Sequence, residues 1–240
     1  KSLGLDDLKP FMPEEKVIEF MLDGGARNGK RLIDLTVKGF ADETARESPA
    51  PGGGSVSAYM GALGASLGTM VANLSSHKPG WDERWDEFSH WAEYGMEVES
   101  ELLRLVDEDT EAFNRIMSAF GMPKGTDEEK RLRSEAIQHA TLFAARVPLE
   151  TMKASLKVFD LCREMVDKGN PNSVSDAGVG ALAARSAVIG AGMNVKINAS
   201  SLKDREMAQS LITEANAIIA EAMAAEEEII RKVEEKIKNN

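Results

Sequence analysis

Residues 56–74 read VSAYMGALGASLGTMVANL, and this stretch decides the fold class. Its large apolar residues recur every three or four positions, which is the period of an α-helix rather than of a β-strand. They are Val56, Tyr59, Leu63, Leu67, Met70 and Leu74. Gly61, Gly64 and Gly68 recur on a neighbouring face. Because glycine costs a helix up to about 1 kcal/mol relative to alanine, these three predict close contact with another helix or with a ligand.

The rest of the chain has the same helical character. Only 5% of the 240 residues are aromatic, and turn formers separate long stretches of helical period. Further helices are predicted for a short segment that starts at Pro13 and for residues 30–45, 82–120, 127–168, 175–199 and 204–238. Pro148 is expected to kink or interrupt its helix near residues 144–147, because proline has no backbone N–H. We therefore predict an all-α protein.

The composition argues against several classes of function. A formal charge of −11 is unfavourable for nucleic-acid binding, which needs clustered Lys and Arg. No apolar run reaches the ~20 residues that cross a bilayer, and no secretion signal opens the sequence. The single cysteine, Cys162, allows no internal disulfide, which is consistent with a reducing compartment. We expect a soluble, cytoplasmic protein with no nucleic-acid or membrane partner.

A glycine-rich segment, PAPGGGS at residues 49–55, lies directly ahead of the helix at 56–74. Unobstructed backbone N–H groups at the positive end of a helix suit an anion such as a carboxylate. A flexible lead-in capped by Ser55 is the structural alternative, and the pattern alone does not choose between the two. The segment is not a P-loop, because no Gly-Lys-Ser/Thr closes it, and no strand precedes it as in a dinucleotide motif.

A carboxylate interrupts the apolar stripe of the helix predicted at 82–120. The vacant position is Asp109, between the apolar residues Leu102, Val106, Phe113, Ile116 and Phe120. A carboxylate on a buried stripe loses hydration, which raises its pKa and makes it a candidate general acid or base. A buried Asp that bridges to another helix is the structural alternative.

Two more polar groups have a functional and a structural interpretation. In residues 169–178, GNPNSVSDAG, a serine can cap the next helix and Asp176 can complement its dipole. Asn194 and Asn198 lie one turn apart, where their amides could bind a heteroaromatic edge or hydrogen-bond another helix. The three histidines share no metal-ligand spacing, and the order of residues indicates no Ser-His-Asp or Cys-His arrangement. We predict no metal and no cofactor.

Several short motifs, in register, resemble the cyclodeaminase domain of formiminotransferase-cyclodeaminase and its stand-alone relatives, which include methenyltetrahydrofolate cyclohydrolases. The matching stretches are SPAPGGGS at 48–55, residues 64–73, VDEDTEAF at 106–113, VPL at 147–149, Gly169-Asn170 with Ser175-Asp176, and residues 194–202. The opening residues 3–19 resemble the linker that follows the transferase domain in bifunctional enzymes. Together with a first residue that is not Met, this suggests a domain cut from a longer parent.

The resemblance implies a fold and a domain division. The fold would be an up-and-down bundle of long helices that forms a homodimer or a higher homo-oligomer. Residues 1–29 would be a linker-like segment with a short helix, and residues 30–240 the cyclodeaminase-like domain. A formiminotransferase domain is a further expected partner in the parent chain.

The resemblance also implies a catalytic residue and a reaction. Asp109 would be catalytic, with the substrate bound by Pro51, Gly52, Gly53, Gly54, Ser55, Phe113, Asn170, Ser175, Asp176, Asn194 and Asn198. Because such a substrate ends in glutamate carboxylates and the chain is acidic overall, a local cationic group is also expected to bind it, with Lys124 as a candidate. The expected enzyme is an ammonia-lyase of histidine degradation, which converts 5-formiminotetrahydrofolate to 5,10-methenyltetrahydrofolate and ammonia. Methenyltetrahydrofolate cyclohydrolase is the enzymatic alternative, and a folate-binding or docking domain without chemistry is the alternative of another class.

Overall fold

The computed structural model describes residues 31–239, and every regular element in that range is a helix. The prediction of an all-α protein is confirmed for this range. The chain divides into two compact units, residues 1–43 and 44–240. In the first, a 3-10 turn at Leu32–Asp34 precedes helix α1, Val37–Thr44, so the helix predicted at 30–45 is shorter than expected. The helix predicted from Pro13 lies outside the described residues, and the predicted domain boundary at residue 29 stays a prediction.

Five long helices form the second unit. They are α2 Gly53–Ser76, α3 Trp85–Phe120, α4 Asp127–Lys168, α5 Val174–Ser200 and α6 Arg205–Lys238, with 3-10 turns at Asp82–Arg84 and Pro171–Ser173. The bounds of α4 agree with the prediction because a capping box between Thr126 and Glu129 defines its start. None of the helices within residues 31–239 is long and apolar enough to cross a membrane.

Small residues let α2 approach its neighbours closely. A Cβ atom on Gly64 would lie 2.8 Å from the carbonyl oxygen of Gly180, and a Cβ on Gly180 would lie 3.0 Å from the carbonyl oxygen of Gly64. At Gly64 the predicted close contact is therefore with α5, whereas Gly61 and Gly68 lie against side chains of α3 and α4. Because the small-residue face of α2 is the buried one, the larger side chains of the apolar stripe are left partly outside, and Leu63 is 45% exposed.

The exposed apolar side chains of α2 and α5 flank this glycine contact. We call them the α2–α5 apolar face: Leu63, Met70, Leu74, Val179, Leu182, Met193 and Ile197. A period of three to four identifies residues that share one side of a helix, but it does not say which side the rest of the protein covers. The sequence pattern therefore left the exposure of this face open.

Helix α4 continues through Pro148, so an interruption is wrong, and a kink near residues 144–147 stays a prediction. Proline has no N–H to donate, which leaves the carbonyl oxygen of Ala144, four residues earlier, without its helical partner. The side chain of Asn198 on α5 supplies the missing donor, because its Nδ2 lies 2.7 Å from that oxygen. An inter-helix hydrogen bond thus compensates for the proline.

This compensation predicts that Asn198 and Pro148 are energetically coupled. Asn198→Ala should lower the free energy of unfolding by about 1–3 kcal/mol, because it leaves a buried carbonyl without a partner. In a Pro148→Ala background the new backbone N–H can bond Ala144, so the same change should have a much smaller effect. Urea unfolding of the four proteins measures this cycle. Equal losses in the two backgrounds would contradict the compensation.

Candidate active site

Asp109 of α3 lies at the N-terminus of α2. Its Oδ2 accepts hydrogen bonds from the backbone N–H of Ser55 at 2.8 Å and from the Ser55 hydroxyl at 3.0 Å. A Cβ atom on Gly54 would lie only 2.0 Å from Oδ1 of Asp109, so the carboxylate occupies the space that a side chain at position 54 would need. Gly54 must therefore be glycine in this arrangement.

The glycine-rich segment does not use Ser55 as the cap of α2, and a backbone N–H of the first turn contacts a carboxylate of the protein itself. The N-cap of α2 is Gly52, and the first helical residue is Gly53, so Ser55 does not cap the helix. The anion that the positive end of α2 stabilises is the protein's own Asp109. Binding of a substrate carboxylate by this segment stays a prediction. Pro51, which follows a cis peptide bond, is buried.

Asp109 lies where α3 emerges from the core. Leu102 and Val106 are fully buried, whereas Phe113 is half-buried and Phe120 is 50% exposed. Burial raises the pKa of the Asp109 carboxyl group above its ordinary value, and the side-chain and backbone hydrogen bonds from Ser55 partly oppose that rise. A partly exposed carboxylate whose pKa is raised towards neutrality is a better general acid or base than an ordinary aspartate.

The structure brings Asn194 to the same end of α2. A Cβ atom on Gly53 would lie 3.4 Å from Nδ2 of Asn194, and that amide donates to the carbonyl oxygen of Gly190 at 3.0 Å. Phe113 lies one helical turn beyond Asp109 on α3. Asn198 is committed to Ala144, so the structural interpretation of its amide is the one the contacts favour.

Asn170, Ser175 and Asp176 lie at the opposite end of α2. The backbone N–H of Asn170 donates to the Ser75 hydroxyl at 2.8 Å, and the Asn170 side chain accepts from the backbone of Asn172. Ser75 follows Ser55 by twenty residues of α2, which corresponds to about 30 Å along the helix axis. One copy of the chain therefore does not bring this group to Asp109. Lys124 is exposed in the connection from α3 to α4, and its part in substrate binding stays a prediction.

Thr110 is a residue of the site that the sequence did not predict. Its hydroxyl lies 3.3 Å from the hydroxyl of Ser55, on the side of α3 that faces α2. A threonine beside an acidic run carries no signal of its own, because its contact depends on where α2 is placed. The resulting site contains Asp109, Ser55, Thr110, the glycines of the loop and Asn194.

Known proteins are similar to this chain in sequence. The family profile described as formiminotransferase-cyclodeaminase matches residues 36–217. A methenyltetrahydrofolate cyclohydrolase of Methylorubrum extorquens is 38% identical over 202 residues, which cover 84% of this chain and 97% of that protein. The formimidoyltransferase-cyclodeaminase of Mus musculus is 35% identical over 203 residues, which cover 84% of this chain but only 37% of that protein. This chain thus spans little more than a third of the mouse protein.

The fold has a counterpart among solved structures. The crystal structure of a formiminotetrahydrofolate cyclodeaminase from Thermotoga maritima matches with a TM-score of 0.75 and 26% sequence identity. The match covers 86% of this chain and 99% of the other. Since the family profile spans most of the sequence, and both sequence and fold similarity agree with it, this chain belongs to the formiminotransferase-cyclodeaminase family.

Proposed function

We propose that this chain is a formimidoyltetrahydrofolate cyclodeaminase in which Asp109 transfers the protons. The observation that carries the proposal is a half-buried carboxylate of raised pKa, held by Ser55 at the N-terminus of a glycine-rich helix. Family membership supplies the substrate class, because relatives named for both cyclodeaminase and cyclohydrolase activity act on a tetrahydrofolate derivative.

The reaction requires proton transfer more than it requires bringing reactants together. N10 of 5-formiminotetrahydrofolate attacks the carbon of the formimino group on N5, so the nucleophile and the electrophile belong to one molecule. Asp109 accepts the proton from N10 and returns it to the formimino nitrogen. The formimino group reacts in its protonated amidinium form, in which this nitrogen already carries two hydrogens. With the proton returned by Asp109 it leaves as ammonia, and the positive charge of the amidinium remains on the 5,10-methenyl product. The ionised carboxylate also stabilises the positive charge of the product.

Methenyltetrahydrofolate cyclohydrolase is the second candidate activity. It is favoured by the 38% identity to a cyclohydrolase that this chain matches over almost the whole of that protein. In that reaction Asp109 would take a proton from a water molecule that attacks the methenyl carbon. The same carboxylate would therefore serve both reactions, and the difference would lie in the substrate.

One assay separates the two activities. The purified chain is given 5-formiminotetrahydrofolate while ammonia and the 5,10-methenyl product are measured, and in a parallel assay it is given 5,10-methenyltetrahydrofolate while ring opening is measured. Ammonia release above the buffer rate is expected. Accelerated ring opening without ammonia would favour the cyclohydrolase, and binding of folate without either reaction would favour a non-catalytic domain.

In the parent protein, a formiminotransferase domain would supply the formimino substrate within histidine degradation in the cytoplasm.

The same proposal includes a homodimer through the α2–α5 apolar face. Large exposed apolar patches are typical of contacts with another protein, and the apolar residues of this face include Met193 and Ile197, which are 65% and 66% exposed. A two-fold axis that passes through the middle of this face, perpendicular to α2, would make the two copies of α2 antiparallel. The Asn170 end of one copy would then lie beside the Asp109 end of the other. A second copy would thereby bring together the two groups of residues that lie about 30 Å apart in one copy.

Replacing Ile197 by Glu should separate such a dimer into monomers, because it introduces an unpaired charge at an apolar contact. Light scattering after size exclusion measures the molar mass. Ile237→Glu is the matched control, since Ile237 is 54% exposed near the end of α6 and lies outside the face. A wild-type protein that is monomeric at assay concentrations would refute the proposed dimer.

A further inference from the structure

We propose that Ser55 and Thr110 are positioning residues, which hold Oδ2 of Asp109 through a chain of two hydroxyl groups and leave Oδ1 as the oxygen that exchanges protons with the substrate. This inference rests on the proposed function, because it assigns roles within the same site. The two oxygens of the Asp109 carboxylate differ in the hydrogen bonds that they accept.

The hydrogen bonds that residues 31–239 donate to this carboxylate both fall on Oδ2. One comes from the backbone N–H of Ser55 and the other from its hydroxyl, so the pair holds the oxygen from two directions. Oδ1 accepts no hydrogen bond from residues 31–239, and the carboxylate group as a whole lies against Gly54, with Oδ1 nearest to the position that a Cβ atom would take. A carboxylate held this way cannot exchange its two oxygens by rotation without breaking both bonds.

The hydroxyl groups have a defined direction when Asp109 is ionised. A hydroxyl group has one hydrogen, and the Ser55 hydroxyl uses it to donate to Asp109. In the contact between the Ser55 and Thr110 hydroxyls, Thr110 must then be the donor and Ser55 the acceptor. The chain runs from Thr110 through Ser55 to Asp109, and each donor strengthens the next because it polarises it.

The charges near Asp109 do not compete with this chain. Burial raises the pKa of Asp109, and the side-chain and backbone hydrogen bonds from Ser55 lower it. On α3, Asp107 and Glu108 precede it, and Glu108 is ion-paired with Arg104. Removal of the Ser55 hydroxyl therefore has one electrostatic effect on the carboxylate, which is loss of a bond that favours its ionised form.

The test compares Ser55→Ala with Ser57→Ala. Ser57 is the matched control because its hydroxyl donates to the carbonyl oxygen of Gly53 in the same helix and does not contact Asp109. The pKa of Asp109 is measured by NMR of protein labelled with carbon-13 at aspartate carboxyl groups, with Asp109→Asn identifying the signal. We expect Ser55→Ala to raise this pKa by about one pH unit, and Ser57→Ala to leave it unchanged.

Activity gives the second measurement. The acidic limb of the pH profile of kcat/KM should move to higher pH in Ser55→Ala by the same amount as the pKa of Asp109, since the base must be ionised to accept a proton. Thr110→Val should shift both quantities in the same direction by less, and Thr110→Ser, which keeps the hydroxyl, should restore them. These Thr110 variants keep the inference testable if Ser55→Ala does not fold.

The outcomes separate this inference from the proposed function. An unchanged Asp109 pKa in both Ser55→Ala and Thr110→Val would overturn the positioning roles, whatever the activity. A pKa that shifts while the pH profile does not would also overturn them, because the proton-exchanging group would then be another residue. Absence of turnover by the wild-type chain on either folate would instead refute the proposed function, even if the pKa shift is observed.

Discussion

Asp109→Asn is expected to reduce turnover by about 10²–10⁴-fold or more while the protein stays folded, because a positioned general base contributes a factor of that order. The amide is nearly isosteric with the carboxylate, and its oxygen can accept both hydrogen bonds that Ser55 now donates to Oδ2. Loss of folding would therefore not explain the loss of activity. Steady-state turnover, with circular dichroism as the folding control, measures the effect. Unchanged turnover would refute the assignment of Asp109 as the base.

The same substitution should stabilise the protein at neutral pH. Because the folded protein raises the pKa of Asp109, it binds the proton more tightly than the unfolded chain does. The stability that comes from protonation is fully present below the pKa of the unfolded state, and it is lost as pH rises through the pKa of the folded state. An uncharged amide avoids this loss.

Urea unfolding at several pH values tests the sign of this effect. The free energy of unfolding of the variant should exceed that of the wild type at pH 7, and the difference should shrink as pH falls through the carboxyl range. A variant that is less stable than the wild type at pH 7 would show that the hydrogen bonds of Ser55 to the charged carboxylate outweigh its burial. A substitution of a catalytic residue that is partly buried often stabilises a protein while it lowers the activity.

Gly64→Ala is expected to lower the free energy of unfolding by about 1–3 kcal/mol, despite the higher helix propensity of alanine. The new Cβ would meet the backbone oxygen of Gly180 at 2.8 Å and Val158 Cγ1 at 3.3 Å. A backbone atom cannot rotate away as a side chain can, so α2 and α5 would have to separate along their buried contact. Urea unfolding monitored by circular dichroism measures the loss.

Gly53→Ala is the matched control for this prediction. It lies in the first turn of the same helix, and the nearest atom to a new Cβ would be Nδ2 of the Asn194 side chain at 3.4 Å, an ordinary contact. Its effect on stability should be within about 0.5 kcal/mol, as for surface substitutions in general. If Gly64→Ala were as stable as Gly53→Ala, the close approach of α2 and α5 would be wrong.

Local patterns predicted much of the fold and one part of the site. The bounds of α4 follow from a capping signal and a run of helical period, which depend on neighbouring residues alone. Asp109 was identifiable because it occupies an apolar position of α3, and the structure does place it at the edge of the core. The exposure of Leu63 and Ile197 was not identifiable, since periodicity does not reveal which side of a helix the rest of the protein covers.

The helical character of the chain, the ends of most of its helices and the apolar position of Asp109 could all be predicted, because each depends on residues within a few turns of one another. Three contacts could not be predicted: Ser55 binds Asp109, Asn198 compensates for Pro148, and Asn170 lies at the far end of α2. Those contacts join residues more than fifty positions apart. They form only when whole helices pack at a particular height and rotation, which no local pattern specifies.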